Sequence, residues 1–213
     1  MGTLNDASRD RNGGSPDEAA RRDDEAGDLA RIGAVARGDR AAFEQLYLRY
    51  HARLARFLAR HTAQRHLVDE IINEALWVVW RTAGDFRGES KVSTWIVGIA
   101  YRCLLKALRG HAAAPRQGEP AEAASAAEAG DDLETDRREL RDWVVQGLRL
   151  LPPEQRMTME LVYYLGQSYE EVAAIMDCAV GTVKARMFHA RLRLRNTLPA
   201  LGGDPSPARS SAK

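Results

Sequence analysis

No apolar run in this chain of 213 residues approaches the ~18 consecutive residues that a membrane-spanning helix requires. Residues 1–28 are polar and mostly acidic, with none of the hydrophobic core of a secretory leader, which points to the cytoplasm. Cysteine is scarce: Cys103 and Cys178 are the only two. Both fall within apolar helical patterns, which rules out a disulfide framework, fits a reducing compartment and reads as buried small hydrophobes. Strand alternation and internal repeats are missing. So are the signatures of catalysis. The five histidines (His51, His61, His66, His111 and His189) form no HExxH-type spacing, and His61 and His66 are five apart, off a shared helical face. There is no phosphate-binding glycine loop and no Gly-x-Ser-x-Gly. The expectation is a binding protein with no catalysis, no metal and no cofactor.

What is present is helical periodicity and segregated charge. Lys and Arg total 31 against 30 Asp and Glu, a net charge of +1, and that average alone argues against a nucleic-acid binder. Along the chain, however, no acid occurs between Asp177 and Asp204. Between His111 and Asp136 the sole base is Arg116, opposed by Glu119, Glu122, Glu128, Asp131, Asp132 and Glu134. The composition divides the chain into a disordered extension (1–28), a helical block (29–110), a flexible acidic linker (111–136), a second helical block (137–201) and a disordered tail (202–213). The fold class is all-α: two small helical domains on a tether.

In the first block a short helix over Leu29, Ile32 and Val35 breaks near Gly38. Asp39 then caps a long helix carrying Phe43, Leu46, Tyr47, Tyr50, Leu54, Phe57 and Leu58. A third helix runs from about Leu67 to Arg81 and a fourth from about Val92 to Arg109, separated by a loop between Gly84 and Ser90. On the third, Glu70, Asn73, Glu74, Trp77 and Arg81 share one face, while Ile71, Ile72, Ala75, Val78 and Val79 point to the core. That polar face suits basic partner residues with Trp77 as an anchor, or is an ordinary solvated face with Trp77 partly tucked in. In the loop, Phe86, Arg87 and Ser90 can stack on and hydrogen-bond an unstacked base, although Phe86 equally suits a core anchor at the loop's base. Arg102, Lys106 and Arg109 recur along the fourth helix at spacings suited to phosphates. Trp95 reads as a structural residue or as a wedge at a duplex edge.

In the second block, Pro152-Pro153-Glu154 opens a helix. Ser168-Tyr169-Glu170-Glu171 is a capping box opening another that contains Val172, Ala173, Ile175 and Met176. A short break at Asp177-Cys178-Ala179 precedes a final helix from about Gly181-Thr182, making a helix-turn-helix. Val180, Val183, Met187, Ala190 and Leu194 form its inner face. Lys184, Arg191 and Arg195 lie along one flank and Arg186, His189 and Arg193 along the other, with Ala185, Phe188 and Leu192 outermost. Such a helix neutralises phosphates from both sides while its N-terminal half meets base edges.

These residues resemble a known family. Leu151-Pro152-Pro153-Glu154-Gln155-Arg156, Tyr169-Glu170-Glu171-Val172-Ala173 and Gly181-Thr182-Val183-Lys184-Ala185-Arg186 are similar to region four of the extracytoplasmic-function sigma factors of bacterial RNA polymerase. Asp69-Glu70-Ile71-Ile72-Asn73-Glu74-Ala75-Leu76, Phe86-Arg87-Gly88-Glu89-Ser90 and Thr94-Trp95-Ile96 are similar to their region two. The resemblance covers about residues 29–110 and 137–200 and implies the following roles. Asp69, Glu70, Asn73, Glu74 and Trp77 would dock on the polymerase clamp helices. Phe86, Arg87, Ser90, Lys91, Trp95, Arg102 and Lys106 would hold the upstream-ten element and its melted strand. Thr182, Lys184, Ala185, Arg186, Phe188, His189 and Arg191 would read the upstream thirty-five element beside the polymerase flap. An anti-sigma factor is the implied regulator.

Asn73 stands where the family usually has glutamine, Arg102 where asparagine is frequent, Ala185 where serine is common and His189 where arginine is common. The last two lie on the reading helix, so promoter preference does not transfer from better-known members. The acidic linker reads either as an RNA mimic in the transcript path or as a solubilising tether. The rival reading is a conventional helix-turn-helix repressor or activator that binds duplex operators as a dimer. The first block separates the two, because an acid-and-tryptophan face beside a base-capturing loop has no use in such a regulator.

Overall fold

The computed structural model describes residues 16–112 and 132–201. Among them are eight α-helices and no strand: α1 (Pro16–Ala36), α2 (Arg40–Leu58), α3 (Arg65–Thr82), α4 (Val92–Ala112), α5 (Asp132–Arg149), α6 (Pro153–Tyr163), α7 (Tyr169–Met176) and α8 (Val180–Leu201), with a single 3₁₀ turn at Ala83–Asp85. The expectations for residues 1–15, 113–131 and 202–213 fall outside the described residues.

Local chemistry sets most of these boundaries. Gly38 takes φ +86° between α1 and α2, a conformation that suits glycine, and the Asp39 carboxylate accepts from the Ala41 and Ala42 amides to cap α2. Pro152 and Pro153 start α6. Apart from α4, which runs on to Ala112 and so takes in the first two residues assigned to the linker, two boundaries differ from the sequence reading. The first helix begins at Pro16, so residues 16–28 are helical where disorder was expected. Asp28 gives the reason: it is 2% exposed and accepts from the Tyr50 hydroxyl at 2.6 Å, with Arg49 Nε at 3.1 Å and Arg31 Nη1 at 3.4 Å. Hydrogen bonding to Asp28 adds to burial in raising the Tyr50 phenol above its ordinary value. A tertiary partner thus holds a polar segment that has no apolar stripe of its own. The other difference is α5, which begins at Asp132 rather than near Arg137, so the last five residues assigned to the linker are helical.

Helices α1–α4 enclose a core in which Leu46, Tyr50, Leu54 and Phe57 of α2, Ile71, Ile72, Leu76 and Val79 of α3, and Ile96 and Leu104 of α4 are all essentially sealed from solvent. Full burial of each such side chain contributes roughly 1.5–3 kcal/mol. In the second unit, Leu148, Leu151, Met159, Met187 and Ala190 form a smaller cluster where α5, α6 and α8 meet. The Trp143 indole fastens α5 by donating to the Leu198 carbonyl at 2.8 Å.

The two units do not hang freely from a tether. Val172, Ala173 and Ile175 of α7, Leu161 and Leu165 and Val183 belong to the same continuous core as Ile99, Ala100 and Cys103 of α4. Polar groups close the seam. His61 Nε2 lies 2.6 Å from Glu160 Oε2, and Arg156 Nε lies 3.1 Å from Glu160 Oε1. The Thr94 hydroxyl donates to Gln167 Oε1 at 3.0 Å, and Arg53 and Arg156 donate to the carbonyls of Leu165 and Arg60. The Arg60 guanidinium sits 3.3 Å above the Tyr164 ring. Burial pushes the Glu160 carboxyl upward, but His61 and Arg156 outweigh it and hold the group below its ordinary value.

Candidate nucleic-acid and polymerase interfaces

On α3 the helical repeat separates two faces completely. Ile71, Ile72, Ala75, Leu76 and Val79 are buried, whereas Asp69, Glu70, Asn73 and Trp77 are exposed and Glu74 is half-exposed. These five outward residues line one open depression, bounded by His66 and Lys106. Trp77 is 57% exposed, so it is not tucked into the core. The Tyr47 hydroxyl donates to Asn73 Oδ1 at 3.2 Å and orients its amide.

The residues expected at the upstream-ten element are distributed over four places. Phe86, Arg87, Ser90 and Trp95 line one shallow depression with Asp85 and Glu89. The Phe86 ring rests against Trp95, centroids 5.2 Å apart, and both rings pack on the core while remaining half-exposed. Phe86 therefore anchors the loop and still presents an edge to the depression. Arg102 is exposed on α4. Lys91 instead reaches across the seam to Glu171, 2.8 Å away. Lys106 turns to the acidic face and pairs with Glu74 at 2.7 Å, which raises its ammonium above the ordinary value. In this arrangement Lys106 neighbours the acids of α3 rather than the loop.

The helix-turn-helix forms as its sequence dictates. The Ser168 hydroxyl accepts from the Glu171 amide at 3.2 Å and Glu171 Oε2 accepts from the Ser168 amide at 2.7 Å, the reciprocal capping box. Burial raises the Glu171 carboxyl, but hydrogen bonds from Lys91 and the Ser168 amide bring it below its ordinary value. Asp177 ends α7 at φ 50°, ψ 56° and makes the turn, a left-handed conformation that aspartate tolerates better than most residues. On α8, Val183, Met187 and Ala190 are sealed inward, as the wheel requires. Thr182, Lys184, Ala185, Phe188, His189 and Arg191 face solvent, with Phe188 63% exposed and its ring edge-on to His189.

Two cations of α8 are engaged internally. Arg191 donates to the hydroxyls of Tyr163 and Tyr169 at 3.0 and 3.3 Å. Arg186 pairs with Glu154 and lies 3.6 Å from the Cys178 sulfur. Arg186 also counters the rise that burial imposes on the Tyr101 phenol of α4.

His61, Glu160, Arg156 and Gln167 escaped the sequence reading. Glu160 had one usable signal: an acid set among Met157, Met159 and Leu161, where its buried position demands a partner.

Comparison with known proteins matches the pattern described as Sigma-70 region 2 to residues 46–114 and that described as Sigma-70, region 4 to residues 141–194. The RNA polymerase sigma-H factor of Pseudomonas aeruginosa is 31% identical over 180 residues, 78% of this chain and 91% of that protein. The ECF RNA polymerase sigma-E factor of Escherichia coli K12 is 31% identical over 188 residues, 82% of this chain and 95% of that protein. Among solved structures, CnrH in complex with the cytosolic domain of CnrY shares the fold at 23% identity and TM-score 0.62, over 82% of this chain and 98% of that one. The sigma factor RpoE of Bartonella quintana, solved with the anti-sigma factor NepR, aligns at TM-score 0.57 and 23% identity, over 76% of this chain and 98% of that one. With both sigma regions matched in order, and relatives aligned over most of its length, the chain belongs to the extracytoplasmic-function sigma factors.

Proposed function

We propose that this chain binds core RNA polymerase, selects promoters and stabilises the melted strand, acting by contact rather than by chemistry. The observation that carries the reading is the coexistence of an acid-lined, tryptophan-bearing face on α3 with a final helix, α8 of the helix-turn-helix, that carries several cations and no acid. Asp69, Glu70, Asn73, Glu74 and Trp77 dock on the polymerase. Phe86, Arg87, Ser90 and Trp95, extended by Lys91, Arg102 and Lys106, hold the upstream-ten element, and the α8 residues from Thr182 to Arg191 read the upstream thirty-five element. An anti-sigma factor covering these faces is the expected regulator. Duplex binding without polymerase is disfavoured, since it leaves the α3 face and the Phe86 loop without a role. Among the described residues no helix is long and apolar enough to cross a membrane, and none group as a metal site.

The test is transcription in vitro with core polymerase and a pool of genomic promoters. Transcripts enriched over core alone, sharing an upstream motif, are expected; no enrichment with a folded protein would sink the reading. Within α8, Lys184→Ala and Arg191→Ala are each expected to weaken binding to every promoter and to reduce the logarithmic salt slope by about one. Substitutions at Ala185, Phe188 or His189 should instead change the preferred sequence. A selection from randomised upstream DNA distinguishes the two classes, and an unchanged motif after replacing all three central positions contradicts the assignment.

A further inference from the structure

The loop that carries Phe86, Arg87 and Ser90 has few bonds of its own. Arg87, Gly88 and Glu89 are exposed, and Gly88 takes φ +73°. The Ser90 hydroxyl donates to the Lys91 carbonyl at 3.3 Å, a long bond between two oxygens. The shape of the loop therefore depends on how its ends are held, and both ends meet α1. That helix packs against the Ala83–Asp85 turn, where the loop begins, and against α4, where it ends.

The second of these ends lacks a local cap. Because α4 begins at Val92, Lys91 stands in the capping position, and a lysine side chain has no acceptor to offer the first amides. Glu25 of α1 supplies one. Its Oε1 accepts from the Val92 amide at 2.6 Å, across 67 positions of sequence. The carboxylate also lies at the positive end of the α4 dipole, where negative charge is favoured. On the other side of the same peptide, the Lys91 carbonyl accepts from the Trp95 amide at 3.0 Å. The Lys91–Val92 peptide is thus held from both sides, by Glu25 and by the residue whose ring rests against Phe86. The Val92 side chain, 0% exposed, fixes where that peptide sits; the Glu25 bond fixes which way it faces. Glu25 is kept in register by its neighbours, since Asp24 and Asp28 pair with Arg49 at 2.8 and 3.1 Å and resist rotation of α1.

We propose that Glu25 is a positioning residue for capture of the melted strand: it caps α4 from α1 and sets the exit of the loop, and with it the depression between Phe86 and Trp95. Glu25 acts through the backbone rather than by touching DNA. The inference rests on the reading of that depression as the upstream-ten contact.

The test uses the full chain, alone and as holoenzyme with core polymerase, with Glu25→Ala and Glu25→Gln. Hydrogen exchange in the free chain reads the bond itself. The Val92 amide should be protected in wild type and exchange severalfold faster in Glu25→Ala, while amides in the middle of α4 stay as they were. Fork-junction DNA with an unpaired upstream-ten strand reads the consequence. The Glu25→Ala holoenzyme should bind it about fivefold more weakly, the scale of losing one helix cap. Affinity for core polymerase and for fully duplex upstream thirty-five DNA should not change. Glu25→Gln keeps an acceptor and should bind the fork junction nearly as wild type does. Unchanged fork-junction affinity in Glu25→Ala overturns the proposal, as does an unprotected Val92 amide in wild type. Parallel losses of fork-junction, duplex and core binding make the residue merely structural and overturn it too, and so does an equal loss in Glu25→Gln. The upstream-ten reading fails separately, if wild-type holoenzyme binds the fork junction no better than fully duplex DNA whatever the Val92 amide shows.

Discussion

Glu70→Arg combined with Glu74→Arg is expected to weaken binding to core polymerase by at least about 2 kcal/mol, roughly thirtyfold in affinity. Reversal costs more than removal because each new positive charge faces the basic partner groups that the carboxylates are placed to meet. The effect on the free chain is small by comparison. Glu70 is exposed and Glu74 half-exposed, and the inward face of α3 is untouched. The one internal interaction lost is the Lys106–Glu74 pair; the Lys106 side chain is 72% exposed, so solvent screens that pair. Fluorescence titration against core polymerase is the measurement, with circular dichroism confirming that α3 stays folded. Near-wild-type affinity with intact helicity would remove the α3 face from the docking surface.

Asp28→Ala should lower the stability of the free protein by about 2–4 kcal/mol. The change leaves the buried Tyr50 hydroxyl without its acceptor and removes the carboxylate from Arg49 and Arg31. For a chain of this size that corresponds to a fall in thermal midpoint on the order of 10 °C. Asp28→Asn keeps an acceptor for Tyr50 while losing the charge, so its loss should be the smaller of the two. An unchanged melt for Asp28→Ala would mean that α1 is not fastened to α2 in solution.

Most of the local architecture is legible in the sequence. Asp39 and the Ser168–Glu171 box mark helix starts because capping acts within three residues, and the inner face of α8 follows from spacing alone. Trp77 is different: its position on the outward face is legible, but whether it lies flat or stands out depends on how α3 meets its neighbours. The seam is hardly legible at all. His61 and Glu160 are almost one hundred positions apart, and a single sequence holds nothing to pair them. Lys91, Lys106 and Arg186 look like three equivalent free cations in the sequence. Folding gives each a different acid, because the partners come from other helices. The stretch of α1 around Asp24 and Asp28 escaped for the same reason, since the partners of these acids, Arg49 and Tyr50, lie on the next helix.

A core that runs through both units limits how modular the protein can be. Val172, Ala173 and Ile175 serve the inside of the helix-turn-helix and its join to α4 together, so one residue answers to two neighbourhoods. The second unit excised alone, or transplanted onto another first unit, would carry an uncovered apolar flank, with the Glu160 carboxylate deprived of His61. Conversely, a drift in side-chain volume on α4 at Ile99 or Cys103 would have to be matched on α7. The two halves are thus bound to change together.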